Sequence, residues 1–246
     1  MKRLNWQIML GISLIALSAV IYLAQIAIFR TARDTFFYLF QDIAFVPIQV
    51  LLVTLIIHKL LSEREKRSMI HKLNMVIGAF FSEVGTTLLK YFLGFDSNID
   101  RIRRNLIVDS NWSKKEFYSV KSHLKNYDYG VESQKGDLED LRSFLIEKRN
   151  FLLRLLENPK LLEHESFTEL LWAVFHLTEE LACREDVRHL HDADYKHLSG
   201  DIKRAYILLI SEWLEYMKHL RDKYPYLFSL AVRLNPFDPD ATPEIK

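Results

Sequence analysis

The chain has 246 residues, 49% hydrophobic and 26% charged, with 33 Lys and Arg against 32 Asp and Glu and a formal net charge of +1. Only six charged side chains (Lys2, Arg3, Arg30, Arg33, Asp34 and Asp42) fall in residues 1–58, so nearly all of the charge sits in the remaining 188 residues. This distribution excludes a fully soluble chain, a disordered chain and a strongly nucleic-acid-seeking protein, and Cys183, the single cysteine, excludes a disulfide scaffold.

From Trp6 to Phe29 the sequence runs for 24 residues without a charge, enough at about 1.5 Å per residue to cross a hydrocarbon core of roughly 30 Å. The run is too long for the apolar region of a cleaved signal peptide and no small-x-small site follows it, so it reads as an anchor. A second run, Phe36 to His58, carries one charge, Asp42, and one proline, Pro47, which is expected to bend it. The link between the runs, Arg30 to Thr35, is short enough to force an antiparallel hairpin. Seven Lys or Arg flank the outer ends (Lys2, Arg3, Lys59, Arg64, Lys66, Arg67 and Lys72) against Arg30 and Arg33 between the spans. That asymmetry predicts both termini in the cytoplasm and a multi-pass protein of the plasma (inner) membrane, prokaryotic in style. Gln25, Gln41 and Asp42 fall at similar depth; a carboxylate there marks a polar pathway or an oligomer contact, or else reaches water or Arg33 at the interface.

After His58 the chain becomes charged without a turn signal, and Lys59 to Lys72 is made largely of strong helix formers, which predicts a membrane-proximal stalk helix. Residues 73–93 turn apolar again, with only Glu83 and Lys90 charged. A buried helix is the first reading of that stretch; a surface amphipathic helix or a third crossing are the alternatives, and a mid-span Glu83 counts against the crossing.

From Asp96 onward the pattern is helical with polar punctuation. Asp109-Ser110-Asn111 marks a loop, and Ser113 with Glu116 forms a capping box that opens a helix to about Lys125. Residues 127–136 look like a flexible linker. Asp137 then caps a helix to Glu157 with a leucine stripe, and a helix over 164–184 follows with Phe167, Leu170, Leu171, Val174, Leu177 and Leu181 on one face. A long helix over 194–223 repeats apolar residues from Leu198 to Leu220 at three- and four-residue steps, and a short aromatic one spans 225–234. The fold class is therefore an all-α membrane protein: a transmembrane hairpin (1–58), a stalk helix (59–95), a cytoplasmic helical bundle (96–236) and a disordered tail (237–246).

Chemistry is sought first among the histidines. His176 and Glu180 are four apart on one predicted helix, and His197 and Asp201 are four apart on the next. A turn near residue 188 would set His176 level with Asp201 and Glu180 level with His197, a spacing able to ligate a metal. The helical wheel places His176 and Glu180 opposite their own apolar stripe, toward solvent, so no metal and no cofactor is expected, with those four residues as the only metal candidates. Arg184 and His189 form an R-x4-H arrangement similar to that of HEPN-type ribonucleases, which are also helical bundles; the resemblance covers these two residues only and would imply an RNA-cleaving pair. Glu185 departs from the polar residue usual after the arginine there, and its charge opposes an RNA phosphate.

Residues 98–125 carry seven Lys or Arg against three acidic residues, which suits either a mixed-charge solvated face or contact with anionic lipid. The expected partners are thus the lipid bilayer and further copies of the chain; nucleic acid is not expected, because no groove-reading motif accompanies the charge. The first functional reading is a non-enzymatic, oligomeric membrane protein in which the bundle organises or gates the membrane part, in its sharper form an ion pathway and otherwise a scaffold or signalling element. The second is a membrane-tethered enzyme with a metal or RNA site in the bundle.

Overall fold

The computed structural model describes residues 2–29, 32–109, 111–125, 127–159, 161 and 163–244. Arg30, Ser110 and the last two residues of the expected tail lie outside these, as do the side chains of Lys2, Arg3, Lys66, Arg67 and Lys72 used in the orientation count. The described residues form helices and no strand, with one isolated antiparallel bridge between Asp96 and Val131. The chain divides into two compact units, Met1–Lys66 and Arg67–Lys246.

The first unit holds α1 (Lys2–Phe29) and most of α2 (Ala32–Phe80), which includes Pro47. α2 begins at Ala32, four residues before the expected second span, with Asp34 in its first turn where a carboxylate complements the helix dipole. Within this unit α1 and α2 meet where the Tyr22 hydroxyl donates to Asp42 Oδ2 at 3.4 Å. Gly11–Ile28 and Arg33–Glu65 are each long and apolar enough to cross a membrane, and among their described residues Thr35 alone is buried.

The second unit is built on α8 (Asp192–Lys223). Leu198, Ile202, Ala205, Leu209, Trp213, Met217 and Leu220 form the expected stripe, but Asp201, Tyr206, Ile210, Glu212 and Leu214 are buried as well. α8 is therefore enclosed on several sides, packed by the π turn Phe81–Gly85, α3 (Thr86–Phe95), α5 (Lys114–Lys125), α7 (Glu165–Ala182) and α9 (Pro225–Arg233), while α6 (Leu138–Leu156) packs on α7. Asp137 caps α6 through a 2.9 Å bond from the Asp140 N–H, and the Ser113 N–H donates to Glu116, one half of the expected capping box at α5. α4 (Ile99–Leu106) turns Ile102 and Leu106 inward.

Residues 73–93 bury one face in this unit and leave Met75, Glu83 and Lys90 exposed. Ile77, Phe80, Phe81, Val84, Leu88, Leu89 and Phe92 are all buried, although the stretch Leu73–Phe95 is also long and apolar enough to be a span. The π turn inserts one residue into the helical repeat, which lets the consecutive Phe80 and Phe81 both point inward. Phe80 meets Phe167 edge-on at 5.3 Å and Phe81 stacks on Tyr216 at 4.8 Å. Gly85 makes this possible: a Cβ there would lie 2.6 Å from Phe81 Cδ1 and 2.9 Å from Phe80 Cε1. Nothing in the residue pattern marks the insertion beforehand, because it answers to packing and not to local propensity.

Two segments differ from expectation. The supposed linker 127–136 is pinned: Ser97 N–H donates to Gly130 O and Glu132 N–H to Phe95 O, both at 2.9 Å, and the Ser133 hydroxyl donates to Tyr195 O at 2.7 Å. Asp96 anchors it, its buried Oδ1 accepting from the backbone N–H groups of Asn98 and Gly130. Burial pushes the Asp96 carboxyl up against the pull of those donors, and the nearby Tyr127 hydroxyl is pushed up to about 12 by its own burial and the Asp96 charge. The tail expected to be disordered starts with Phe237, which is buried with its ring 5.0 Å from Trp213. Asn235 fixes that docking: its side-chain amide donates to Leu106 O at 2.8 Å and its Oδ1 accepts from the Phe237 N–H at 2.9 Å.

Candidate functional site

α7 and α8 lie side by side and antiparallel, and their facing polar residues form a ladder. Arg184 pairs with Asp194 at 3.2 Å, His197 with Glu180 at 3.6 Å, and His176 with Asp201 at 3.5 Å, so the register inferred from the spacing is the one found. His197 Nε2 also lies 3.3 Å from Asp201 Oδ2 and His176 Nε2 3.9 Å from Glu180 Oε1, which draws the four side chains into one cluster.

His176 and Glu180 keep the solvent side that the helical wheel gives them, but the carboxylate they meet does not. Asp201 is 4% exposed, whereas His176 and His197 are 46% and 52% exposed. The wheel referred His176 and Glu180 to the stripe of their own helix; α8, enclosed on several sides, brings a buried carboxylate up beneath them. Asp201 Oδ2 accepts no hydrogen bond and faces the two imidazole Nε2 atoms, while Arg204 lies 3.4 Å from Oδ1. Arg184 donates to Glu180 Oε2 at 2.7 Å. That bond, reinforced by the arginine charge and by the imidazoles when protonated, holds the Glu180 carboxyl below the ordinary carboxylate range despite partial burial. One ligand atom each from His176, Glu180 and His197 lies within 4.8 Å of the others.

Arg184 and His189 are held by different partners. The Arg184 guanidinium is engaged by Glu180 and Asp194, and it also caps the Glu180 carbonyl at 2.6 Å. His189 is 84% exposed on the loop between α7 and α8, its Nδ1 2.9 Å from Asp186. In the first unit Asp42 and Gln41 are exposed and Gln25 half-buried; Asp42 meets Tyr22, a partner that charge and spacing did not single out. Of the basic residues in 98–125, Lys121 binds Glu215 at 2.8 Å and Lys114 lies 3.2 Å from Asp222, so part of that charge is engaged by α8. The aromatic run 224–237 docks through Phe228 and Phe237 and borders an apolar groove of about 380 Å³ lined by Phe81, Tyr216, Leu230 and Leu234.

Two family descriptions match the chain: residues 2–61 match "MJ1433, N-terminal helical domain", and residues 69–233 match "Uncharacterized protein MJ1433, C-terminal helical domain". A relative from Methanocaldococcus jannaschii, "Uncharacterized protein MJ1433", is 48% identical over 238 residues, covering 97% of this chain and 96% of its own length. The chain belongs to the MJ1433 family. The two family domains end at residue 61 and begin at residue 69, which brackets the division between Lys66 and Arg67. No solved structure matches the chain. The α7–α8 cluster lies wholly within the C-terminal helical domain of the family, and the Tyr22–Asp42 pair wholly within the N-terminal one.

Proposed function

We propose that the chain is an integral membrane protein whose N-terminal hairpin crosses the bilayer twice, with both termini in the cytoplasm, and whose helical C-terminal domain organises or gates an assembly of several copies. The observation that carries this reading is the surface of the first unit. Along the two long apolar stretches there, every described apolar side chain stays exposed or half-exposed, and an apolar surface of that extent is stable only against lipid or other protein. Asp42 and Tyr22, a hydrogen-bonded polar pair within that surface, supply what a line of copies would gather around an axis.

Cys183 offers a direct test of sidedness, because it is exposed and is the one thiol of the chain. A membrane-impermeant maleimide is expected to leave Cys183 unmodified in intact cells and to label it after permeabilisation; labelling of intact cells would overturn the cytoplasmic placement. Light scattering of the detergent-solubilised particle is expected to give several chains per particle, and Asp42→Asn to alter that number or the ion flux of reconstituted vesicles. A monomeric wild-type particle would end the assembly reading.

A further inference from the structure

We propose that His176, Glu180, His197 and Asp201 form a binding site for one divalent transition metal ion of the zinc class, bridging α7 and α8. This goes beyond the membrane reading and does not depend on it.

The distances suit such an ion. Around zinc, nitrogen and oxygen ligands sit at about 2.0–2.2 Å, and a tetrahedron with those bonds has edges of about 3.3–3.6 Å. The separations from His197 Nε2 to Asp201 Oδ2, from His176 Nε2 to Asp201 Oδ2 and from His197 Nε2 to Glu180 Oε2 are 3.3, 3.5 and 3.6 Å, and that from His176 Nε2 to Glu180 Oε1 is 3.9 Å. Each imidazole nitrogen thus stands near an edge length from Asp201 Oδ2 and from one Glu180 oxygen, Oε2 for His197 and Oε1 for His176, so Glu180 must turn to offer both the same oxygen. Two imidazoles with two carboxylates suit zinc and its neighbours in the transition series, whereas magnesium and calcium favour all-oxygen shells.

The second observation is the burial of Asp201 and the lack of a hydrogen bond at its Oδ2. Asp201 is almost fully buried, yet its Oδ2 accepts no hydrogen bond and is aimed at the two Nε2 atoms. A buried carboxylate oxygen that makes no hydrogen bond is costly, and a cation shared between it and the two imidazoles removes the cost. The arginines complete the arrangement from outside. Arg204 lies against the other Asp201 oxygen and Arg184 holds Glu180 Oε2, the positions from which neighbours orient ligating carboxylates. The half-exposed imidazoles leave a path by which an ion enters from solvent.

The test uses the full-length protein in detergent, stripped with chelator and titrated with Co²⁺ alone, then with Zn²⁺ alone. The expected result is saturable uptake of one Co²⁺ per chain with the intense visible absorption of a tetrahedral site, displacement by Zn²⁺, and a rise in Tm on adding Zn²⁺. His176→Ala, His197→Ala and Asp201→Asn are each expected to weaken binding by at least about tenfold, the lower end of what loss of an orienting neighbour alone costs. His189→Ala, on the exposed loop, is expected to change nothing. Absence of saturable Co²⁺ uptake by the wild-type protein overturns the proposal. So does unchanged binding in the His176→Ala/His197→Ala double variant with its helical circular dichroism intact, since the ion would then sit elsewhere.

Discussion

The two units hold similar apolar side chains and turn them in opposite directions. In Met1–Lys66 leucine, isoleucine and phenylalanine follow one another without a polar face and remain on the outside. In Arg67–Lys246 the same residue types recur at helical spacing and close on one another around α8. The carboxylates repeat the contrast. Asp42 is exposed on its helix and reaches one hydroxyl, at 3.4 Å; Asp201 is buried and sits among two imidazoles and an arginine. A continuous apolar run thus leaves its environment to whatever surrounds the protein, whereas a periodic one lets the fold build an environment around a polar group.

The sharpest way to break this contrast is to remove one large apolar side chain from each unit. Phe167→Ala, which vacates the fully buried ring against Phe80, is expected to cost about 3–5 kcal/mol in denaturant unfolding of the helical domain. Leu17→Ala, on the outward surface of α1, is expected to change the same unfolding curve by no more than about 0.5 kcal/mol. Comparable losses at the two positions would show that Leu17 is packed against protein. Gly85→Ala addresses how tightly the second unit is closed. Its Cβ would press on both phenylalanine rings of the π turn, and the expected cost is about 1–3 kcal/mol, read as a lower Tm.

A small effect is also expected at the surface of the second unit, where Lys121 and Lys218 flank Glu215 at 2.8 and 3.0 Å. Burial would raise the Glu215 carboxyl, but the hydrogen bonds and charges of the two lysines outweigh it and hold the group below its ordinary value. A carboxyl depressed on folding adds stability at pH above its unfolded value of about 4.3, and that contribution disappears as pH falls through the lower folded value. Glu215→Gln is therefore expected to lower stability near pH 7 by under about 1 kcal/mol and to leave it unchanged in strong acid. Urea midpoints of both proteins from pH 7 downward measure this, and a difference that persists in acid would contradict the ion-pair account.

Much of the second unit is legible along the chain. The stripes from Phe167 to Leu181 and from Leu198 to Leu220 locate α7 and α8 within a few residues, and the Asp137 and Ser113 signals locate the starts of α6 and α5. What escapes a linear reading depends on partners distant in sequence. The π turn is set by Phe167 and Tyr216 receiving Phe80 and Phe81. The docked tail is set by Asn235 reaching Leu106, and the pinned 127–136 segment by Asp96. The histidine–carboxylate cluster lies between these cases. Its register follows from two i,i+4 pairs and a loop of the right length, but the burial of Asp201 depends on what else α8 packs against.

The α7–α8 ladder also restricts how the two helices slide. Moving α7 along α8 by one turn, about 5.4 Å, would in one direction bring Glu180 beside Asp201 and Arg184 beside His197. In the other direction it would bring His176 beside His197 and Glu180 beside Asp194. Either displacement sets like against like, so the sequence of charges works as a detent that admits one resting position. A helix pair built this way transmits a push along its length as a unit instead of absorbing it by slippage.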